Sequence, residues 1–332
     1  MKFLIFPGND DVFYKMFDEI NDEVRYPNIK VRKEIYWRYN DNIINFRNKL
    51  SYHVLLNGKL NDLYDDMTSF FSKIRRLEKK VKEKTCFVFS NITFRTLPNY
   101  IIKRLKNNKY INIVVYMLDS SSQKLCKEAV EKCLKYKIKF VYTFDKVDAE
   151  KYGFYHFYYI YSKLTNEMKP VNTDVMFFGS DKGRLRELLH ISEEFEEENI
   201  SSKMYIVGVD NEVQKSEKVI INEPIPYVEM IKKLQKTKCI LDYVIEDQVG
   251  LSYRPMEAIC YNKKLLTNNK SILDFPYYNA EFMQYFKNSD EIDMSFLKKN
   301  IAVDYKYKGE YSPKNFIQRI ESDIENGESI HE

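Results

Sequence analysis

The chain has 332 residues, 44% of them hydrophobic and 31% charged, which is the make-up of a water-soluble globular protein and is long enough that two domains are the default. No apolar run reaches the roughly 18–20 residues that span a bilayer, and the opening MKFLIF is too short for a secretory signal. The net charge of +4 hides two halves of opposite sign: residues 1–165 carry 31 Lys and Arg against 19 Asp and Glu, and the remainder 22 against 30, as two units with different partners do.

In chain order, KFLIF reads as a first buried strand ending in a Pro-Gly turn. Residues 59–83 form a long polar stretch compatible with a helix. TCFVFS (85–90) is a short continuous apolar run of the kind buried parallel strands show. A helix follows at 98–107, then the strand INIVVYML (111–118). The next helix, 122–136, places Leu125, Ala129, Cys133 and Leu134 on one face. IKFVYTF (138–144) closes the set. After an aromatic, irregular region at 153–172 the alternation restarts, with strands at 175–179, 204–209, 218–222, 239–244 and 263–268. Helices at 182–198, 228–236 and 253–262 lie between them, and a last helix covers 312–326. Strands alternating with helices over short connections are the mark of βαβ units and a parallel sheet.

The five cysteines (86, 126, 133, 239 and 260) form no C-x-x-C pair, which suggests neither a zinc site nor a disulfide framework. With no export signal, a cytoplasmic location is expected.

Ligands of open α/β sheets bind beyond the C-terminal ends of the strands, so chemistry is expected just after strands. In FFGSDKGRLREL (177–188) a strand runs through Gly179 into a helix. Unpaired N–H groups at that helix start, with Lys182 and Arg184 beside them, make an anion site. Gly179 and Gly183 let backbone come close. The ordinary alternative is a tight turn carrying a solvated Lys and Arg. The pattern is neither G-x-G-x-x-G nor a P-loop. In GLSYRPMEAICYNKK, Ser252 is placed to cap a helix. Arg254 and Glu257, three apart, share one of its faces. Arg254 sits in the first turn, where a cation opposes the helix dipole unless an anion offsets it. Glu257 can accept two hydroxyls, as a ribose diol offers. The alternative is a surface ion pair worth about 0–1 kcal/mol.

Four stretches carry a resemblance: F-D-K-V-D-A-E-K-Y-G-F (144–154), F-F-G-S-D-K-G-R (177–184), Y-V-E-M-I-K-K-L-Q-K-T-K-C-I-L-D (227–242) and Q-V-G-L-S-Y-R-P-M-E-A-I-C-Y-N-K-K-L-L-T-N-N (248–269). In this order they resemble bacterial GT-B glycosyltransferases encoded with capsule, exopolysaccharide and lipopolysaccharide genes. The resemblance covers roughly the C-terminal 55–60% of the chain. It implies an α/β protein of GT-B architecture, two Rossmann-like doubly wound domains facing a central cleft. An acceptor-binding domain would span 1–165, a nucleotide-sugar-binding domain 166–310, and a C-terminal helix and tail 311–332. It further implies that Glu257 binds the donor ribose and that Lys182, Arg184 and Arg254 hold the diphosphate. Glu223 to Tyr227 (E-P-I-P-Y) would line the base, and Thr267 and Asn268 would lie near the sugar. Many retaining members carry a second Glu eight residues before the ribose-binding one; here that position is Val249.

The resemblance implies a hexosyltransferase-like reaction; no Asp-x-Asp occurs, which fits a metal-independent one, with fixed Lys and Arg charges stabilising the leaving diphosphate and with neither metal nor cofactor expected. A general base for the acceptor belongs in the first half, where Asp10, Asp11 and Asp119 follow strands and His53 is a further candidate; each also has an ordinary reading as a turn or cap residue. KIRRLEKKVKEK (73–84), with seven basic and two acidic residues, reads as a solvated helix face or as a contact for an anionic membrane. Phe154, Tyr155, Phe157, Tyr158 and Tyr159 could join that docking or pack inside. The leading reading is a transferase from a nucleotide sugar to a lipid-linked glycan, cytoplasmic or peripheral on the inner membrane face. The alternatives are a non-catalytic subunit of the same fold and, third, a nucleic-acid binder, against which the acidic second half and the lack of a nucleic-acid motif argue.

Overall fold

A computed structural model describes residues 1–8, 11–32, 69–164, 170–209, 218–245 and 250–329. Asp10, His53, Val249, residues 59–68 and the side chain of Asp11 lie outside the described set. The chain forms two compact units, one of Met1–Ser162 with Pro313–Glu332 and one of Lys163–Ser312.

The first unit contains β1 (Lys2–Phe6), α1 (Asp11–Lys15), β2 (Ile29–Val31), α2 (Ser69–Lys80), β3 (Thr85–Ser90), α3 (Asn91–Thr96), α4 (Asn99–Asn107), β4 (Ile111–Tyr116), α5 (Lys124–Lys135), β5 (Phe140–Thr143), α6 (Lys146–Tyr152) and β6 (Tyr155–His156). The strands make one parallel sheet in the order β2-β1-β3-β4-β5-β6. Every residue of β3 is buried, so both of its faces are covered, which is why its sequence is continuously apolar rather than alternating. Phe6 stacks on Phe89 with centroids 4.9 Å apart.

Helix α5 turns a different face inward from the one its leucines suggest. Cys126, Ala129, Val130 and Cys133 are buried, while Leu125 and Leu134 are 47% and 48% exposed. The buried four repeat at helical spacing, and the two leucines fall one residue outside the stripe on either flank. Small side chains suit a helix that lies close against a neighbour, here the short helix α3.

The second unit contains β7 (Thr173–Ser180), α7 (Leu185–Glu197), β8 (Ser202–Val207), β9 (Val219–Ile221), α8 (Tyr227–Leu234), β10 (Thr237–Asp242), α9 (Arg254–Tyr261), β11 (Lys264–Thr267), β12 (Met283–Tyr285) and α10 (Met294–Lys298). Its sheet is also parallel, in the order β12-β11-β10-β7-β8-β9. Counted from β7, that is the doubly wound order whose direction reverses between β7 and β10. The C-terminal ends of those two strands are where such sheets hold ligands.

The last helix, α11 (Pro313–Ser329), belongs to the first unit rather than standing apart. Phe316 is fully buried against Tyr116, Tyr142 and Phe157, and the Tyr142 hydroxyl donates to Asp323 at 2.8 Å. Burying that ring contributes about 1.5–3 kcal/mol. The aromatic stretch packs into the same unit: Tyr155 stacks on Tyr142, and Tyr159 on Phe144 at 4.1 Å. Tyr159 is buried, whereas Phe154, Tyr155, Phe157 and Tyr158 are half-buried and keep part of their ring surface accessible. The basic run of α2 buries Ile74 and pairs Glu78 with Arg104 at 3.0 Å, while Lys73, Arg76, Lys79 and Lys80 face solvent. Among the described residues no helix is long and apolar enough to cross a membrane.

Candidate functional site

Between β7 and α7 the chain turns through Lys182 (φ 47°) and Gly183 (φ 83°), both left-handed. A Cβ at Gly183 would meet nothing within 4 Å, so its glycine serves the backbone angle and not a close approach. Gly179 is the reverse case. A Cβ there would lie 2.7 Å from both Arg184 Nη2 and the Phe177 ring. The missing side chain makes room for the Arg184 guanidinium, whose carbon sits 5.1 Å from the Phe177 centroid. Arg184 donates from Nε to the Ser180 carbonyl at 3.0 Å and from Nη1 to the Tyr243 carbonyl. It straps the end of β7 to the segment leaving β10, so two of its nitrogens are already engaged while the side chain stays half-buried. The start of α7 is also engaged: Asp181 Oδ1 accepts from the Leu185 amide at 2.9 Å. One amide of that helix start is thus capped by the chain's own carboxylate. Lys182 remains exposed.

Helix α9 begins one residue later than its sequence suggests, with Tyr253 at the cap position. Ser252 still serves the helix start, since its Oγ accepts from the Arg254 amide at 3.0 Å. Pro255 sits in the first turn, where its missing N–H costs nothing. Glu257 is fully buried, and its Oε2 accepts from Arg254 Nη1. Its Oε1 accepts from the Tyr227 hydroxyl at 3.3 Å, from the first residue of α8. Arg254 also donates from Nη2 to the Phe178 carbonyl at 2.8 Å. The Arg–Glu pair is thus an interior ion pair and not a decoration of the surface. Each Glu257 oxygen has one partner and keeps a further lone pair.

Under these groups lies Asp242, the last residue of β10, which sequence reasoning passed over. Its carboxylate accepts from Ser252 Oγ at 2.8 Å and from Thr267 Oγ1 at 2.9 Å. Asn268 holds Val244 through two bonds, accepting from its amide at 2.6 Å and donating to its carbonyl at 2.9 Å. Tyr227, Ser252, Arg254, Glu257 and Thr267 therefore join one network through Asp242, and Gly179 with Arg184 adjoins it. Glu223 is exposed on the loop before α8. Asp119 follows β4 in the first unit and is exposed; its carbonyl accepts from the Cys126 thiol. Asp11 opens α1.

Burial pushes the Glu257 carboxyl above its ordinary range, with Arg254 and Tyr227 pulling it back. Burial raises Asp242 as well, opposed by its two hydroxyl donors and by Arg254 and Arg184. The Arg184 guanidinium is lowered by burial. Two cations and two carboxylates close together in a dry place hold one another, and a ligand's phosphates would have to share in that balance. For a metal, His190, Glu194 and Asp290 bring three ligand atoms within 4.8 Å of one another, but they lie on the middle of α7 and on a separate 3-10 turn (Ser289–Glu291) and are mostly exposed.

No family model and no curated protein match the chain. Solved structures do. An alpha-glucosyltransferase in complex with UDP and a DNA containing an HMU base superposes with a TM-score of 0.58 at 13% identity, over 98% of this chain and 99% of that one. A protein assigned as a UDP-N-acetylglucosamine 2-epimerase, from Listeria monocytogenes, gives a TM-score of 0.52 at 8% identity, over 98% and 97%. At such identities the likeness is one of fold. Two six-stranded parallel sheets with a closing C-terminal helix give this chain the GT-B fold, the architecture of a large class of glycosyltransferases.

Proposed function

We propose that the protein is a glycosyltransferase that takes a sugar from a nucleotide sugar and passes it to a glycan acceptor. The observation that carries this is the buried Arg254–Glu257 pair at the C-terminal ends of the strands where the second sheet reverses. Glu257, with lone pairs to spare, binds the ribose diol. Arg254 and Lys182 meet the diphosphate, Arg184 contributing its charge from its strapped position. The 223–227 loop carries Tyr227 beside Glu257 and lines the base. Thr267 and Asn268, whose side chains hold strand ends, shape the floor beneath the sugar. UDP is the nucleotide we put first, because both fold neighbours name a uridine diphosphate compound. Guanidinium and ammonium charges stabilise the leaving diphosphate without a metal, and Asp119 is the candidate acceptor base whose side chain is described. The acceptor we favour is a lipid-linked glycan of a bacterial surface polysaccharide. The exposed lysines and Arg76 of α2 would rest on the anionic inner face of the membrane.

A second acceptor is favoured by one observation. The first 165 residues carry an excess of 12 positive charges, 31 against 19, and one fold neighbour was solved with DNA. Transfer to DNA would fall steeply with salt, whereas transfer to a neutral glycan would not.

The test is thermal stabilisation by UDP, GDP, dTDP and CDP, with and without EDTA, followed by sugar transfer to glycan, lipid-linked and DNA acceptors. UDP is expected to raise the midpoint of the wild type regardless of EDTA and not that of Glu257→Gln. No shift with any nucleotide would replace this reading with that of a non-catalytic subunit.

A further inference from the structure

The proposed donor chemistry gives Asp242 no contact with the nucleotide, yet its surroundings are built around its charge. Ser252 Oγ and Thr267 Oγ1, which donate to its two oxygens, each also accept a backbone N–H, from Arg254 and Asn269, both at 3.0 Å. With those lone pairs engaged by amides, each hydroxyl points its single proton at Asp242. A carboxylate accepts at both oxygens and satisfies the pair, whereas the NH2 of an amide would meet one of the two hydroxyl protons with a donor. Asp242 also pairs in register with Thr267, and its carbonyl accepts from the Asn268 amide at 3.3 Å. The residue therefore ties the end of β10 to the end of β11 and to the backbone just before α9.

We propose that Asp242 is a positioning residue of the donor site. Through Ser252 it fixes the backbone from which Arg254 and Glu257 project, so that the guanidinium is ordered before a diphosphate arrives. This rests on the donor-site reading above. Ordering a cation in advance spares the ligand that cost on binding.

The same carboxylate has a simpler alternative role, as a counter-charge to Arg184 and Arg254, and the two roles differ in sign. Removing a counter-charge leaves the site more positive and tightens the hold on an anion. Removing a positioning group loosens it.

The experiment compares wild type and Asp242→Asn by calorimetric titration with UDP and with uridine, and by hydrogen exchange of the unliganded proteins. Expected for the variant is a UDP affinity weaker by about tenfold, the scale of one hydrogen bond to a charged group, with uridine binding unchanged. Exchange should quicken in 250–257 and 267–271 and stay slow in β7 and β8. Should Asp242→Asn not fold, Ser252→Ala removes the strap to Arg254 while keeping the carboxylate, and the same pattern is expected. UDP binding that is equal or tighter in the variant overturns the proposal, as does an equal loss for UDP and uridine, which marks a general lesion. A wild type that binds neither UDP nor uridine removes the donor reading itself and this proposal with it.

Discussion

The two units share a parallel doubly wound plan but differ in what they place at the ends of their central strands. In the first, β3 ends in small neutral groups. Ser90 Oγ accepts from the Thr93 amide at 3.2 Å, and Asn91 Oδ1 accepts from the Leu118 amide at 3.1 Å. These finish hydrogen bonds that the chain's own turns leave open. In the second, the matching place holds Arg184, Asp242, Arg254 and Glu257, groups that are costly to dry and that are held by the Arg254–Glu257 ion pair, by backbone carbonyls and by two hydroxyls. Caps of the first kind explain a fold. A paired cluster of the second kind costs stability that a plainer set of side chains would not, and such sites are where function is expected.

The contrast is broken or sharpened most by Glu257→Ala. It strands a buried guanidinium and should destabilise the second unit by about 3–5 kcal/mol in urea denaturation. Glu257→Gln keeps the shape and an acceptor and should cost less. Equal costs would mean that the pair is wetter than the structure shows. Phe316→Ala should remove about 3–5 kcal/mol from the first unit. Hydrogen exchange should quicken around β4 and β5 while β7 and β10 stay protected. Gly179→Ala pushes the Arg184 guanidinium away from Phe177 and should cost about 1–3 kcal/mol, with weaker UDP binding. Ser90→Ala, the neutral counterpart, should cost about 0.5–2 kcal/mol and leave UDP binding untouched.

The smallest effect is one of pH. Burial lowers the Lys263 ammonium to about 8 while it donates to the Gln235 carbonyl at 2.7 Å. A base depressed in the folded state contributes stability above its unfolded pKa and loses it as pH falls through the folded one. Between pH 8 and about 10.4 the wild type should therefore gain stability relative to Lys263→Met. Parallel pH curves would show the ammonium to be solvated.

Much of this was legible in the letters. Continuous apolar runs such as TCFVFS announce buried parallel strands, and the Arg254–Glu257 spacing puts both groups on one face. Depth was not legible. Spacing cannot say that Glu257 is fully buried or that Tyr227, thirty residues earlier, reaches it. Nor do letters show that Arg184 turns back onto two carbonyls, because its partners are backbone atoms that every residue has. Asp242 reads as a polar residue ending a strand, and its hydroxyl donors lie 10 and 25 positions away. Leu125 and Leu134 misled because apolarity marks a candidate for burial, whereas packing into the core selects a whole stripe.

The most direct measurement is hydrogen exchange of the full chain with and without saturating UDP. Added protection in 177–185, 223–230 and 242–258, with the first unit's strands unchanged, is the predicted result. Protection confined to the first unit, or none anywhere, would contradict a donor site at the ends of β7 and β10.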